Sequence, residues 1–375
     1  MRSYLDHAST SPIRPTARSA IVEVLERTDL GDPSRFHREG MTARAVVEDA
    51  RDRVAASLGA RPREVVFTSG ATEAIAMASW GAASRGAHSV LSAVEHSAVR
   101  EWAERGEISW VGVDGYGRVD PLELAASVTE HTGLVHCQWG NHEVGTRQPV
   151  AEVVAQLDGR ALLHVDAAQV VGHDPIAFAA SGIDLLSVSS HKFGGPAGIG
   201  ALLVRRRLRL PPLLVGGDQE RARRGGIEPV AAIAGFAAAL EEATATLGHE
   251  SNRQRLLTDR VLEWASKTEG VAALGDPTDR LPHIVCLGIA DVEPQPVLLG
   301  LDAAGVAVHS GSSCSSEALE PSPVLAAMGA KADRSLRISV GWNTTDTDVD
   351  RLLGALSTVL DELRALRRSI EGTET

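Results

Sequence analysis

Between Val65 and Val204 the chain repeats one unit: a short, continuous apolar run, then a stretch with helical spacing. The runs are Val65-Val66-Phe67, Val90-Leu91, Trp110-Val111-Gly112-Val113, Leu134-Val135, Leu162-Leu163-His164-Val165, Leu185-Leu186-Ser187-Val188 and Ala201-Leu202-Leu203-Val204. A strand with one wet face alternates apolar and polar residues, whereas these runs must be covered on both faces. Helices packed on both sides of a sheet supply that cover, so the alternation predicts an α/β fold with a largely parallel sheet.

Ahead of the first run, Ala43, Val46, Val47, Ala50, Val54 and Leu58 recur at helical spacing, and Gly59 closes the helix. From about Ala231 the pattern is strongly helical. Gly275-Asp276-Pro277 opens a second region, with strands near Ile284-Val285-Cys286-Leu287 and Val306-Ala307-Val308 and a closing helix striped by Val349, Leu352, Leu353, Leu356, Val359, Leu360 and Leu363. That stripe reads as core packing. The expected division is a large domain over 16–248 and a small α+β domain from 1–15 and 249–375.

Charge and cysteine content narrow the function. Thirty-seven Lys+Arg against 49 Asp+Glu leave a formal charge of −12, which argues against direct nucleic-acid binding. Any anionic ligand must be held by a local site. No apolar run approaches the ~20 residues of a membrane span, and no signal-peptide pattern follows Met1-Arg2, so no membrane association is expected. Cys137, Cys286 and Cys314 are too scattered for a disulfide framework or a zinc knuckle, which suits the cytoplasm and predicts no metal site.

The chemistry begins at His164-Val165-Asp166-Ala167-Ala168-Gln169 and Ser189-Ser190-His191-Lys192. Ligands of open α/β sheets sit at the carboxyl ends of strands, so a strand-end acid and a lysine just past a later strand share one crevice. Such a lysine can form a Schiff base with an aldehyde cofactor, and such an acid can keep the ring nitrogen of pyridoxal phosphate protonated. Taken singly, Asp166 reads as a helix cap and Lys192 as a surface residue; together they favour the cofactor reading. Thr68-Ser69-Gly70-Ala71-Thr72-Glu73 follows a strand and opens a helix, an arrangement that cradles phosphate.

With these stretches, and with Tyr4-Leu5-Asp6-His7-Ala8-Ser9-Thr10, Glu95-His96, Asn141 to Gly145, Ser310 to Ser316, Leu319 to Ser322 and Leu336-Arg337-Ile338-Ser339, the chain resembles the cysteine desulfurases of the class V aminotransferase group nearly end to end. The resemblance implies a fold type I architecture, with a mainly parallel seven-stranded sheet and a smaller α+β domain. It implies Lys192 as the covalent anchor of pyridoxal 5'-phosphate, Asp166 at the ring nitrogen, Gln169 at the ring oxygen and His96 stacked on the ring as a proton carrier. Ala71, Thr72, Ser189 and His191 would bind the phosphate, and Arg337, Asn141 and His142 the substrate. Cys314, in a loop of small residues, aligns with the nucleophilic cysteine; Cys137 and Cys286 lie in apolar runs and are expected to be inert.

The sequence departs from the family pattern at three places. His142 replaces an asparagine, Arg224-Gly225-Gly226-Ile227 replaces a segment whose threonine reaches the partner subunit's phosphate, and Ala76 replaces an asparagine. The expected activity is conversion of L-cysteine to L-alanine by a homodimer, leaving a persulfide on Cys314 for an acceptor protein. The alternatives are selenocysteine lysis or a related β-elimination, and a weakly active sulfur-relay protein.

Overall fold

The computed structural model describes residues 2–290, 292–310, 321–331 and 334–371. Their strands, in chain order, are β1 (Ser3–Tyr4), β2 (Val65–Thr68), β3 (His88–Ser92), β4 (Glu107–Val111), β5 (Thr132–His136), β6 (Leu162–Asp166), β7 (Leu185–Ser189), β8 (Gly200–Val204), β9 (Val271–Leu274), β10 (Ile284–Ile289), β11 (Val306–Ala307) and β12 (Ser335–Ser339). Each of the seven apolar runs contributes a strand to one sheet, ordered β2-β8-β7-β6-β5-β3-β4.

Pairing in that sheet is parallel except at β8, which runs antiparallel to both β2 and β7. A parallel return needs a crossover of a dozen or more residues, usually helical. Only residues 190–199 join β7 to β8, so the chain turns straight back and leaves Lys192 in the connection.

Helix Ala71–Ala82 covers one face, setting Ala74, Met77, Ala78 and Ala82 against Leu134, Leu162, Leu185 and Leu202. Helices Arg38–Ser57 and Val230–Ala245 cover the other, where Val47, Val54, Phe236 and Leu240 meet Phe67, Val135, Val165, Leu186 and Leu203. Burying an aliphatic side chain gains ~1.5–3 kcal/mol. Against that gain, His136, His164 and Ser187 are polar and fully buried within the same sheet.

A second body pairs β12-β10-β9 antiparallel and β1-β11 parallel. Helices Leu247–Ser266, Pro294–Ala303 and Asp346–Glu371 pack on it, and the stripe Val349, Leu352, Leu356 and Leu360 lies buried among Leu5, Val285, Leu287, Leu336 and Ile338. A buried ion pair fixes the segment after β8: Arg51 forks onto Glu220 with both contacts at 2.7 Å and each side chain 2% exposed. Glu220 Oε2 also accepts from the Phe67 amide at 2.9 Å, tying that segment to β2.

Candidate active site

The carboxyl ends of β5, β6 and β7, the N-terminus of helix Ala71–Ala82 and the first residues of the chain enclose a cleft of about 440 Å³. Lys192 enters it from the turn leaving β7. Its Nζ donates to the carbonyl oxygens of Ala8 at 2.6 Å and Ser9 at 3.0 Å, which aim the amine. Asp166 ends β6, and its Oδ1 accepts from the Ala168 amide at 2.9 Å and the Ser187 hydroxyl at 3.4 Å. It caps the turn and lines the cleft at once. Gln169 Nε2 donates to Ala8 O at 2.8 Å, and its second amide hydrogen is left for the cleft it also lines.

At one end of the cleft, helix Ala71–Ala82 begins with no side-chain cap, so its first N–H groups face open space. Gly70 precedes it at φ +154 and ψ −178, a conformation nearly confined to glycine. A Cβ there would stand 3.6 Å from Ser189 Oγ, filling the space between that hydroxyl and the helix. Thr72, Ser189 and His191 ring this space, with Ser189 Oγ and His191 Nδ1 3.1 Å apart. Burial, then the Lys192 charge, pushes the His191 imidazole down to about 4, so at neutral pH it offers a hydrogen bond and no charge. Behind the cradle, Glu73 accepts from the Ser69 amide at 2.7 Å and from Arg224 Nε at 2.9 Å. That contact anchors the segment carrying Ile227, which is itself exposed.

On the opposite side, His96 caps helix Ser97–Ala103 through Nδ1 and meets the His142 ring edge to face, centroids 4.9 Å apart. Both line the cleft. Glu95, completely buried next door, accepts from the Gln138 amide at 2.7 Å with Oε1, while Oε2 has no partner. Burial pushes its carboxyl up to about 8, with the Asp166 charge adding to the shift and the Gln138 bond opposing it. Glu95 therefore keeps its proton at neutral pH.

Arg337 is 1% exposed on β12 and borders the cleft. Nη1 donates to His142 O at 2.9 Å, Nη2 to Ser9 Oγ at 2.7 Å and Asp6 Oδ1 at 3.0 Å, while the buried Nε makes no hydrogen bond. Asn141, expected at the substrate, is turned toward its own loop. Its Oδ1 accepts from the amides of Glu143 and Val144 at 2.8 and 2.9 Å, its Nδ2 donates to Val94 O at 3.3 Å, and it does not line the cleft. Its amide is consumed in shaping the turn that presents His142.

Cys137 and Cys286 are fully buried, and burial raises both thiols well above their ordinary range, so neither supplies thiolate. Cys314 lies outside the described residues. The chain on either side of it is anchored at this cleft: His309 and Arg337 exchange backbone hydrogen bonds at 2.7 and 3.2 Å, and Ser322 Oγ donates to Glu143 Oε2 at 2.5 Å. The sequence reading missed the carbonyls of Ala8 and Ser9, which no side-chain motif signals, and the protonated Glu95, visible only as the residue before His96.

An amine and a carboxylate on one crevice, beside an uncapped helix N-terminus with a glycine cradle, fit pyridoxal phosphate and define a fold type I cofactor site. A family model described as Aminotransferase class-V matches residues 3–352. Cysteine desulfurase IscS 1 of Archaeoglobus fulgidus is 39% identical over 375 residues, spanning 97% of this chain and 98% of its own. Among solved structures, a NifS-like protein superposes with a TM-score of 0.90 at 30% identity, over 97% of this chain and 100% of the other. A structure described as SspA in complex with cysteine gives 0.79 at 27% identity, over 90% and 98%. The chain belongs to the class-V aminotransferase family, among its cysteine desulfurases.

Proposed function

We propose that the chain is a pyridoxal-phosphate-dependent cysteine desulfurase, converting L-cysteine to L-alanine and holding the released sulfur as a persulfide on Cys314. The observation that carries this reading is the convergence of Lys192 from the turn after β7, Asp166 from β6 and Arg337 from β12 on one cleft. Similarity to proteins named cysteine desulfurase, one related structure holding cysteine, supports the choice of substrate.

Bound pyridoxal phosphate supplies an electron sink for charge developing at the substrate's α-carbon. Asp166 would pair with the ring nitrogen, and Thr72, Ser189, His191 and the helix N-terminus would hold the phosphate. Lys192 would hold the cofactor covalently, and its amine, aimed into the cleft by the Ala8 and Ser9 carbonyls, would move the substrate's α-proton. Arg337, which borders the cleft with its guanidinium, receives the substrate carboxylate. His96 and His142 border the same side, His96 as proton carrier. The Cys314 thiolate forms a bond to the substrate sulfur while the carbon–sulfur bond breaks. The bonding pair stays on the three-carbon fragment, which gains a proton at its β-carbon, regains its α-proton and leaves as alanine.

The working form is a cytoplasmic homodimer that passes sulfur to an acceptor protein. Exposed Phe36, Val215 and Ile227, the last two on the segment anchored by Arg224, support a second copy covering this side. The deciding experiment is mass spectrometry after incubation with L-cysteine, which should find one added sulfur atom on the Cys314 peptide. The Cys314→Ser protein should keep the cofactor's colour and release little alanine; normal turnover by that variant would sink the assignment. Alanine release from cysteine against selenocysteine separates the two substrates, and light scattering tests the dimer.

A further inference from the structure

Side chains two residues apart on a strand share a face. On β6 this groups Leu162, His164 and Asp166, and on β7 Leu185, Ser187 and Ser189. His136 of β5 is the register partner of His164. The two imidazoles meet with their Nδ1 atoms 2.9 Å apart; His164 Nε2 lies 3.2 Å from Ser187 Oγ, and Ser187 Oγ lies 3.4 Å from Asp166 Oδ1. His136, His164 and Ser187 are all fully buried, and none of them lines the cleft.

The polarity of this chain of contacts follows from donor counting. A neutral imidazole carries one N–H, and burial lowers His136 to about 3 and His164 well below its usual range, so both are neutral. Asp166, as a carboxylate, can only accept, and the Ser187 hydroxyl therefore donates to it. Ser187 oxygen then accepts from His164 Nε2–H, leaving His164 Nδ1 bare to accept from His136 Nδ1–H. The remaining atom, His136 Nε2, is a lone pair, and it is the atom that is buried without a partner. The opposite polarity would bury an unsatisfied N–H there and turn Ser187 away from Asp166. Orphaned buried donors are the rarer and costlier defect.

We propose that His136, His164 and Ser187 form a one-way hydrogen-bond relay that positions the Asp166 carboxylate for the cofactor's ring nitrogen. The relay rests on the role given above to Asp166. Its inner bonds, from Ser187 and Ala168, both fall on Oδ1, which leaves Oδ2 for the ring. The other ionisable groups around Asp166 are Glu95, which holds its proton, and Lys192, His96, His142, His191 and Arg337 along the cleft. All three relay members are positioning residues, acting through Asp166.

The test uses the holoenzyme and two readouts: the pH midpoint of the bound cofactor's visible absorption, and the cofactor dissociation constant. In His136→Leu, His164 is free to adopt the other tautomer and Ser187 to turn away. A ring that is less fully protonated withdraws less charge from the bond to Lys192, so the midpoint moves up by about half a pH unit. The dissociation constant rises about three- to tenfold, the worth of one hydrogen bond. His136→Asn, whose amide nitrogen falls near the Nδ1 position, restores both. Asp166→Asn separates the two ideas: if it leaves both readouts at parental values, the role of Asp166 is wrong. If it shifts them while His136→Leu does not, the relay is overturned. Should His136→Leu fail to fold, imidazole ¹⁵N shifts in the unaltered holoenzyme decide. Protons on His136 Nδ1 and His164 Nε2 support the relay, and the reverse tautomers refute it.

Discussion

Glu95 is a carboxylic acid that the fold obliges to stay neutral, and Glu95→Gln isolates the consequence. Its carboxyl moves from an ordinary 4.5 to about 8, chiefly by burial. A group whose folded value is raised contributes fully below its unfolded value and loses that contribution as pH climbs to the folded one. Between pH 4.5 and 8 the native state holds a proton that the unfolded chain has released, so stability falls by ~1.4 kcal/mol per pH unit, reaching about 5 kcal/mol across the window. Glutamine has the same shape and no proton to lose. Its extra N–H at the unpartnered Oε2 position costs ~1–3 kcal/mol, the same at every pH. The assay is urea unfolding of the cofactor-free parent and variant from pH 5 to 9. The variant should be the less stable protein at pH 5 and the more stable one by pH 8 to 9. Stability curves that stay parallel over that range would mean Glu95 ionises inside the fold, and the account of its surroundings would be wrong.

Replacing Arg337 by lysine keeps the charge and removes the fork; a charge-assisted hydrogen bond is worth ~1.5–3 kcal/mol, so KM for cysteine should rise ~10- to 100-fold, more than kcat falls. Steady-state alanine release checks this, and an unchanged KM would remove Arg337 from carboxylate binding. Glu220→Ala takes from Arg51, which is 2% exposed, its buried counter-ion and leaves it only the half-exposed Glu48 at 3.1 Å. It should cost ~3–5 kcal/mol in urea unfolding, whereas the double change Arg51→Met with Glu220→Leu should recover most of the loss.

The sheet was legible because strands covered on both faces leave uninterrupted apolar runs, and all seven were readable between Val65 and Val204. The direction of β8 was not, since an apolar run carries no arrow; the short 190–199 connection held that information. β12 escaped for a different reason. Ser335-Leu336-Arg337-Ile338-Ser339 buries two serines and an arginine, and its pattern reads as a binding motif before it reads as a strand. Within the cleft, Lys192, Asp166, His96, His142 and Arg337 were all singled out from sequence and stand together. The bonds Asn141 makes within its own turn were not legible, because one sequence cannot say whether an amide serves a ligand or its own loop. The contact between His136 and His164 depends on strand register, which joins residues 28 positions apart.

Residues 5–8 are made long before some of the partners they bond. Asp6 pairs with Arg337 across 331 positions of chain, Ala8 N bonds Ser339 Oγ across the same separation, and the Leu5 carbonyl accepts from the Ser339 amide. At the ribosome's ~5–20 residues per second, these partners emerge tens of seconds after the segment that awaits them. The large sheet can collapse meanwhile, and it already offers Gln169, Lys192 and the His191 carbonyl to residues 8–11, but the far side of that wall, at Asp6 and Ala8 N, is unpaired until β12 arrives. Completion of the cleft is thereby deferred until β12 has been made, and a ribosome stalled before it holds a nascent chain that already contains its lysine without yet having Arg337 beside it.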